Sequence, residues 1–258
     1  MPSPLVTIVI ALDDGLQVVH HSDLRQAPDT YAALVGGLHV TPVILSHDGW
    51  QSGIQLGLTA LGARALLGVP AAVLTDIDCH LADVLGPSVV PLRDELLAEP
   101  TWIGRFAILE RWLDARCRYE VAIADEVAEA WRLIRASAGT ATISRVAGEI
   151  GWSERHLRSR FAAEIGLTPK AAARVVRFDS SRRMLRNRHR AGVDPDLAGL
   201  SVACGYADQA HFTREFRDHA GCSPLHWLSE ELGAAAEPAE QFRNLQSRRP
   251  PERRGSAA

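Results

Sequence analysis

The chain has 258 residues, with 28 Lys and Arg against 31 Asp and Glu, a formal net charge of −3, and four cysteines. That length admits two domains, and the sequence holds no apolar run long enough to span a membrane and no basic-then-apolar leader of the signal-peptide kind. Cys79, Cys117, Cys204 and Cys222 show no C-x-x-C spacing, so neither a zinc cluster nor a disulfide scaffold is suggested; a cytoplasmic protein without a cofactor is the expectation.

In chain order, Leu5 to Leu12 is rich in β-branched residues and reads as a strand. The Asp13-Asp14-Gly15 turn and a second strand, Leu16 to His20, predict a hairpin. Further strands are expected at Tyr31 to Val40, Pro42 to His47 and Gly53 to Leu58, followed by a helix from Thr59 closed by Gly68 and Pro70. This density of short strands predicts a small antiparallel barrel or sandwich over residues 1–88. A metal-dependent cupin-type enzyme is the rival reading of such a barrel, and it needs a His-x-His cluster with a further Glu and His. Here His20, His21, His39 and His47 are scattered, and adjacent histidines on a strand point to opposite faces, so they read as surface or pocket residues. No nucleophile-elbow or phosphate-loop glycine pattern appears. The chain is therefore read as no enzyme.

Val89 to Ala98 and Trp102 to Arg116 predict helices within a connecting segment, residues 89–120. Trp102, Phe106, Leu109 and Leu113 recur at spacings of three and four, which predicts one buried face. Ala124 to Ser137 is the next helix, with Val127, Trp131 and Ile134 inward, and Gly139-Thr140 breaks it.

A repeat follows. Ile143, Val146, Ile150, Gly151 and Trp152 match Leu197, Leu200, Cys204, Gly205 and Tyr206 at an offset of 54. After one extra residue, Ser153, His156, Leu157, Phe161, Gly166, Thr168 and Pro169 match Asp208, His211, Phe212, Phe216, Gly221, Ser223 and Pro224 at 55. Each copy is a short apolar helix, a tight turn at glycine and a capped second helix, which is the form of a DNA-binding helix-turn-helix. Ala147 and Ser201, four residues before the turn glycine, let the paired helices cross closely. With the aromatic and leucine positions inward, the second and sixth residues of each second helix face outward. These are Arg155 and Ser159, flanked by Arg158, and then Ala210 and Arg214, flanked by Gln209 and Thr213. Arg forks onto guanine and Gln onto adenine in the major groove. Cys204 and Cys222 match Ile150 and Leu167, which makes them core positions.

Charge is divided to suit. Residues 1–139 carry 9 Arg and 17 acids, or −8, whereas residues 153–190 carry 11 basic residues and 3 acids, or +8. That basic stretch includes a linker helix, Thr168 to Asn187, with Val175, Phe178 and Leu185 on its apolar face and Arg174, Arg177, Arg182, Arg183 and Arg186 on others. Residues 234–258, rich in Ala, Glu, Pro and Arg, are expected to be disordered.

The second unit, reading "GY-x-DQ-x-HF-x-R-x-F…G-x-SP", and the tandem arrangement around it resemble the AraC/XylS family of bacterial transcription regulators, over about residues 125 to 232. The resemblance implies an α+β chain in which a β-rich sensor precedes an all-α tandem helix-turn-helix domain, residues 121–233. Two recognition helices would enter successive major grooves of double-stranded DNA. It assigns base reading to Arg155, Ser159, Gln209, Ala210, Thr213 and Arg214, and phosphate contact to Arg158, Arg174 and Arg177. Ser159 is small where the family commonly has a longer reader, which leaves Arg155 or Arg158 to grip phosphate there. The resemblance further implies RNA polymerase, a small-molecule effector and a homodimer as partners, with no membrane and no metal. The stretches "LTALGARALLGVPA" and "LADVLG" resemble the N-terminal domain of actinobacterial members, in which more chain precedes the segment corresponding to Pro2. The expectation is a barrel shortened at its first strands. The alternative for this domain is a ligand-independent dimerisation module.

Overall fold

The computed structural model describes residues 1–117 and 123–233; the tail expected to be disordered, 234–258, lies outside them. The N-terminal module holds strands β1 (Val6–Ala11), β2 (Leu16–His20), β3 (Asp29–Tyr31), β4 (Ala33–Gly36), β5 (Ile44–Ser46), β6 (Gly53–Leu58) and β7 (Asp78–His80). They form two antiparallel sheets, ordered β6-β1-β4-β7 and β3-β2-β5. In β1 the alternate residues Val6, Ile8 and Ile10 are fully buried, as a half-covered strand requires.

The expected β1–β2 hairpin does not form. Strand β1 already has β4 on one edge and β6 on the other, so β2 belongs to the second sheet and the Asp13-Asp14-Gly15 stretch turns a corner between sheets. Side chains fix that corner. Asp13 accepts from Gly15 N at 3.2 Å and from Ser52 N at 2.5 Å, and Arg93 donates to the carbonyls of Ala11 and Asp13, both at 2.9 Å. The single strand expected from Tyr31 to Val40 is likewise two, because the chain crosses from one sheet to the other at Ala32. Strand β7 was not expected; Asp-Cys-His carries no strand signal, and pairing with β4 extends it.

His21 also departs from the surface or pocket reading. It is 2 % exposed, with Nδ1 2.8 Å from an Asp78 carboxylate oxygen and Nε2 3.1 Å from the Ala27 carbonyl, and it ties the end of β2 to β7.

Helix α1 (Ala60–Leu67) starts where Thr59 Oγ1 accepts from Gly62 N and ends at Gly68, whose φ of +76° suits the left-handed C-cap. A 3-10 turn (Ala71–Leu74) and the helices α2 (Leu81–Leu85), α3 (Val89–Ala98) and α4 (Trp102–Arg116) follow. In α4 the predicted buried face is only partly covered: Leu109 is buried, but Trp102 is 40 % and Phe106 51 % exposed, beside Ile103 at 85 %.

The C-terminal half is helical: α5 (Asp125–Ala136), α6 (Ile143–Glu149), α7 (Glu154–Ile165), α8 (Pro169–Arg190), α9 (Leu197–Ala203), α10 (Gln209–Ala220) and α11 (Pro224–Gly233). Its apolar clusters do not divide as two domains with separate cores. One continuous core runs from Val6 through Leu96 and Trp131 to Val176, joining the N-terminal module to α5–α7. A second surrounds Phe178, Tyr206, Phe212, Phe216 and Trp227. The long helix α8 contributes to both, with Val175 and Val176 in the first and Phe178 and Leu185 in the second.

Candidate nucleic-acid interface

The two repeats fold with the same local bonds. Trp152 N donates to Ala147 O and Tyr206 N to Ser201 O, each at 2.9 Å. The turn glycines Gly151 and Gly205 both have φ of +73°, a conformation that side chains with a Cβ resist. Ser153 Oγ accepts from His156 N and Asp208 Oδ1 from His211 N, so each second helix begins on a side-chain cap worth about 1 kcal/mol. Both second helices are twelve residues long and end at a left-handed glycine, Gly166 and Gly221. The small Ala147 and Ser201 are buried where the helices cross.

Each second helix is anchored by rings. Phe161 packs on Trp131 of α5, at 5.9 Å between centroids, and Phe216 packs on Phe178 of α8, at 5.1 Å. With Leu157 and Phe161, and Phe212 and Phe216, fully buried, the opposite faces turn outward. Arg155, Arg158 and Ser159 are exposed on α7; Gln209, Ala210 and Arg214 are exposed on α10, and Thr213 is half-buried at its flank.

The linker arginines Arg174 and Arg177 both reach acids of α10. Arg177 is turned inward, only 17 % exposed: its guanidinium lies 2.9 Å from the Glu215 carboxylate and 4.7 Å over the Tyr206 ring. Its Nε and Nη2 are engaged by the Glu215 carboxylate on α10. Arg174 stays at the rim, 39 % exposed, bonded to Glu215 at 3.1 Å and Asp218 at 3.3 Å. Between the two units lies a cleft of about 850 Å³, lined among others by Lys170, Arg174, His211, Arg214, Arg217 and Asp218. Lys170 and Arg217 were not singled out in the sequence, although Arg217 stands three residues after Arg214 on the same outward face. Glu215 was missed as well. The spacing of Arg174 and Arg177, three apart on one face of the linker, was the available signal for an acid opposite them.

The N-terminal module touches the C-terminal ends of both α7 and α10. Arg64 pairs with Glu164 at 3.2 Å, and Gly166 lies so close to the 3-10 turn that a Cβ there would stand 1.7 Å from Thr75 Oγ1. On the other unit, His219 Nδ1 is 2.7 Å from the Val40 carbonyl. Burial pushes the His219 imidazole below its ordinary pKa and the Tyr206 phenol above its own. Cys204 is buried and Cys222 half-buried, as their core positions predict, and burial raises both thiols. Among the described residues no three His, Cys, Asp or Glu side chains cluster as a metal site would require, and no helix is long and apolar enough to cross a membrane.

Residues 127–230 match the family model described as a helix-turn-helix domain. The HTH-type transcriptional activator RhaR of Klebsiella pneumoniae is 22% identical over 219 residues, which is 84% of this chain and 70% of RhaR. Among solved structures, ToxT from Vibrio cholerae aligns with a TM-score of 0.53 at 10% identity, over 88% of this chain and 91% of its own. ToxT with an unsaturated fatty acid bound aligns at 0.50 and 11% identity, over 89% and 88%. These structures share the order of a β-rich module followed by a helical one.

Proposed function

We propose that this chain is a DNA-binding transcription regulator of the AraC type that reads its operator through α7 and α10 set in successive major grooves, with half-sites roughly 34 Å apart. The observation that carries the reading is the pair of units with the same caps, turn glycines and outward polar faces. Arg214 and Gln209 would supply most base discrimination, with Ala210 and Thr213 beside them, and Arg155 and Ser159 would read the first half-site. Arg158 and Arg174 would hold phosphate and supply salt-sensitive affinity.

Residues 1–88 are assigned to sensing, 89–120 to connection and 121–233 to DNA. The fatty-acid-bound ToxT supports a small-molecule effector for a module of this kind, and contact with both recognition helices gives that module a route to the DNA-binding face. The exposed Trp102, Ile103 and Phe106 of α4 favour a homodimer through this helix. RNA polymerase is the protein partner, in a cytoplasmic setting, and no catalytic step is assigned.

The test is Arg214→Ala, measured on a duplex selected from a randomised pool and on random DNA. A loss of about 1–3 kcal/mol on the selected site with little on random DNA is expected. An equal loss on both would remove Arg214 from base reading.

A further inference from the structure

The two units differ at one place on the flank that joins each recognition helix to the helix behind it. In the first unit the position equivalent to Glu215 is Arg160, which is exposed, and the buried residues that α5 brings to that unit are apolar, Val127 and Ala130 among them. In the second unit the corresponding surface of α8 presents Arg174 and Arg177, and α10 answers with Glu215, 4 % exposed. The Glu215 carboxylate accepts from Arg177 Nε at 3.2 Å and Nη2 at 2.9 Å, and from Arg174 Nε at 3.1 Å. His211, one turn before it on α10, is 3.7 Å away. Arg177 is in turn fixed over the Tyr206 ring, which belongs to the turn of the same unit.

Apolar contacts are nondirectional and tolerate a helix rolling about its axis, whereas a buried carboxylate held by two guanidinium groups has one good geometry. Such a pair contributes less to stability than to orientation, because desolvation offsets much of its attraction. On α10 the braced flank lies about 100° from the Arg214 direction, so a change of roll swings Gln209, Ala210 and Arg214 across the groove.

We propose that Glu215 is a positioning residue for base readout: through Arg174 and Arg177 it sets the roll of the second recognition helix and so determines which bases that helix meets. This rests on the DNA-reading assignment above. It touches no base itself, and the first half-site is outside its reach.

The test compares full-length wild type, Glu215→Gln and the double variant Arg177→Met/Glu215→Met. Each is measured for melting temperature and for affinity to single-base variants of both half-sites of a duplex selected by the wild type from a randomised pool. The expected result for Glu215→Gln is a preference at second half-site positions reduced by about tenfold with first half-site preferences kept. The double variant, with an apolar pair in place of the ions, is expected to regain melting temperature without regaining second half-site preference. Recovery of preference together with stability, or a uniform loss across both half-sites, would overturn the positioning role and leave Glu215 a stabilising residue only. A wild type that enriches no sequence would instead sink the DNA-reading assignment itself.

Discussion

His219 Nδ1 donates to the carbonyl oxygen of Val40 at 2.7 Å, a bond across 179 residues that ties the end of α10 to the N-terminal module. The imidazole is 2 % exposed and tilted against Phe178, and its Nε2 has no hydrogen-bond partner among the described residues.

Protonating that ring requires placing a charge where only one nitrogen is bonded. Burial is the main cause of its lowered pKa; Arg174 adds to it, while the Val40 bond, Glu215 and Asp218 oppose it. His39, next to Val40, is lowered by burial as well. A histidine with a depressed folded-state pKa binds fewer protons folded than unfolded, so stability is complete above about pH 6.5 and falls as pH drops below it. The melting temperature of the wild type is therefore expected to fall between pH 7 and 5 more steeply than that of His219→Gln. Parallel curves for the two proteins would contradict this.

Gly166 and Gly221 close equivalent helices but should respond differently to alanine. Both have positive φ, a conformational cost of roughly 1–2 kcal/mol for a residue with a Cβ. At Gly221 the nearest atom to an added Cβ is Pro42 Cγ at 3.7 Å, whereas at Gly166 it would overlap Thr75 Oγ1 and approach Ala72 Cα at 2.8 Å. Urea unfolding should show Gly166→Ala losing clearly more stability than Gly221→Ala. Equal losses would mean that the junction yields freely.

Phe212 is fully buried against Tyr206 and Phe216, with ring centroids at 5.2 and 5.6 Å. Its truncation to alanine is expected to cost about 3–5 kcal/mol and to disorder the second unit. Amide exchange should then rise in α9 to α11 while α5 to α7, anchored in the other core, stay protected. Loss of protection throughout the chain would show that the two clusters unfold as one.

The exposed stripe on α4 leads to a prediction about assembly. If it joins two copies, Ile103→Glu with Phe106→Glu will shift sedimentation from dimer to monomer without changing the melting temperature of the monomer. A wild type that sediments as a monomer at all concentrations would contradict the homodimer assignment.

The helical half was legible because its signals are local: a cap at Ser153, Asp208 or Thr168, a glycine at the end, and rings four apart. The β half was less so. Asp-Asp-Gly marks a sharp turn whether it closes a hairpin or turns between sheets, and only the occupied edges of β1 decide between them. His21 and Asp78 are 57 residues apart, and their bond is visible only once β7 is seated. Within the interface the outward residues followed from helical geometry, but Arg177 and Glu215, 38 positions apart, each resemble a solvated charge until the chain between them is folded.

The most direct test of the account is fluorescence anisotropy of the full-length protein with the DNA flanking its own gene and with a scrambled duplex, at two salt concentrations. Tighter binding to the natural DNA, weakening steeply with salt on both, is the predicted result. Equal binding to the two duplexes, repeated with DNA selected from a randomised pool, would contradict sequence-specific reading by the paired helices.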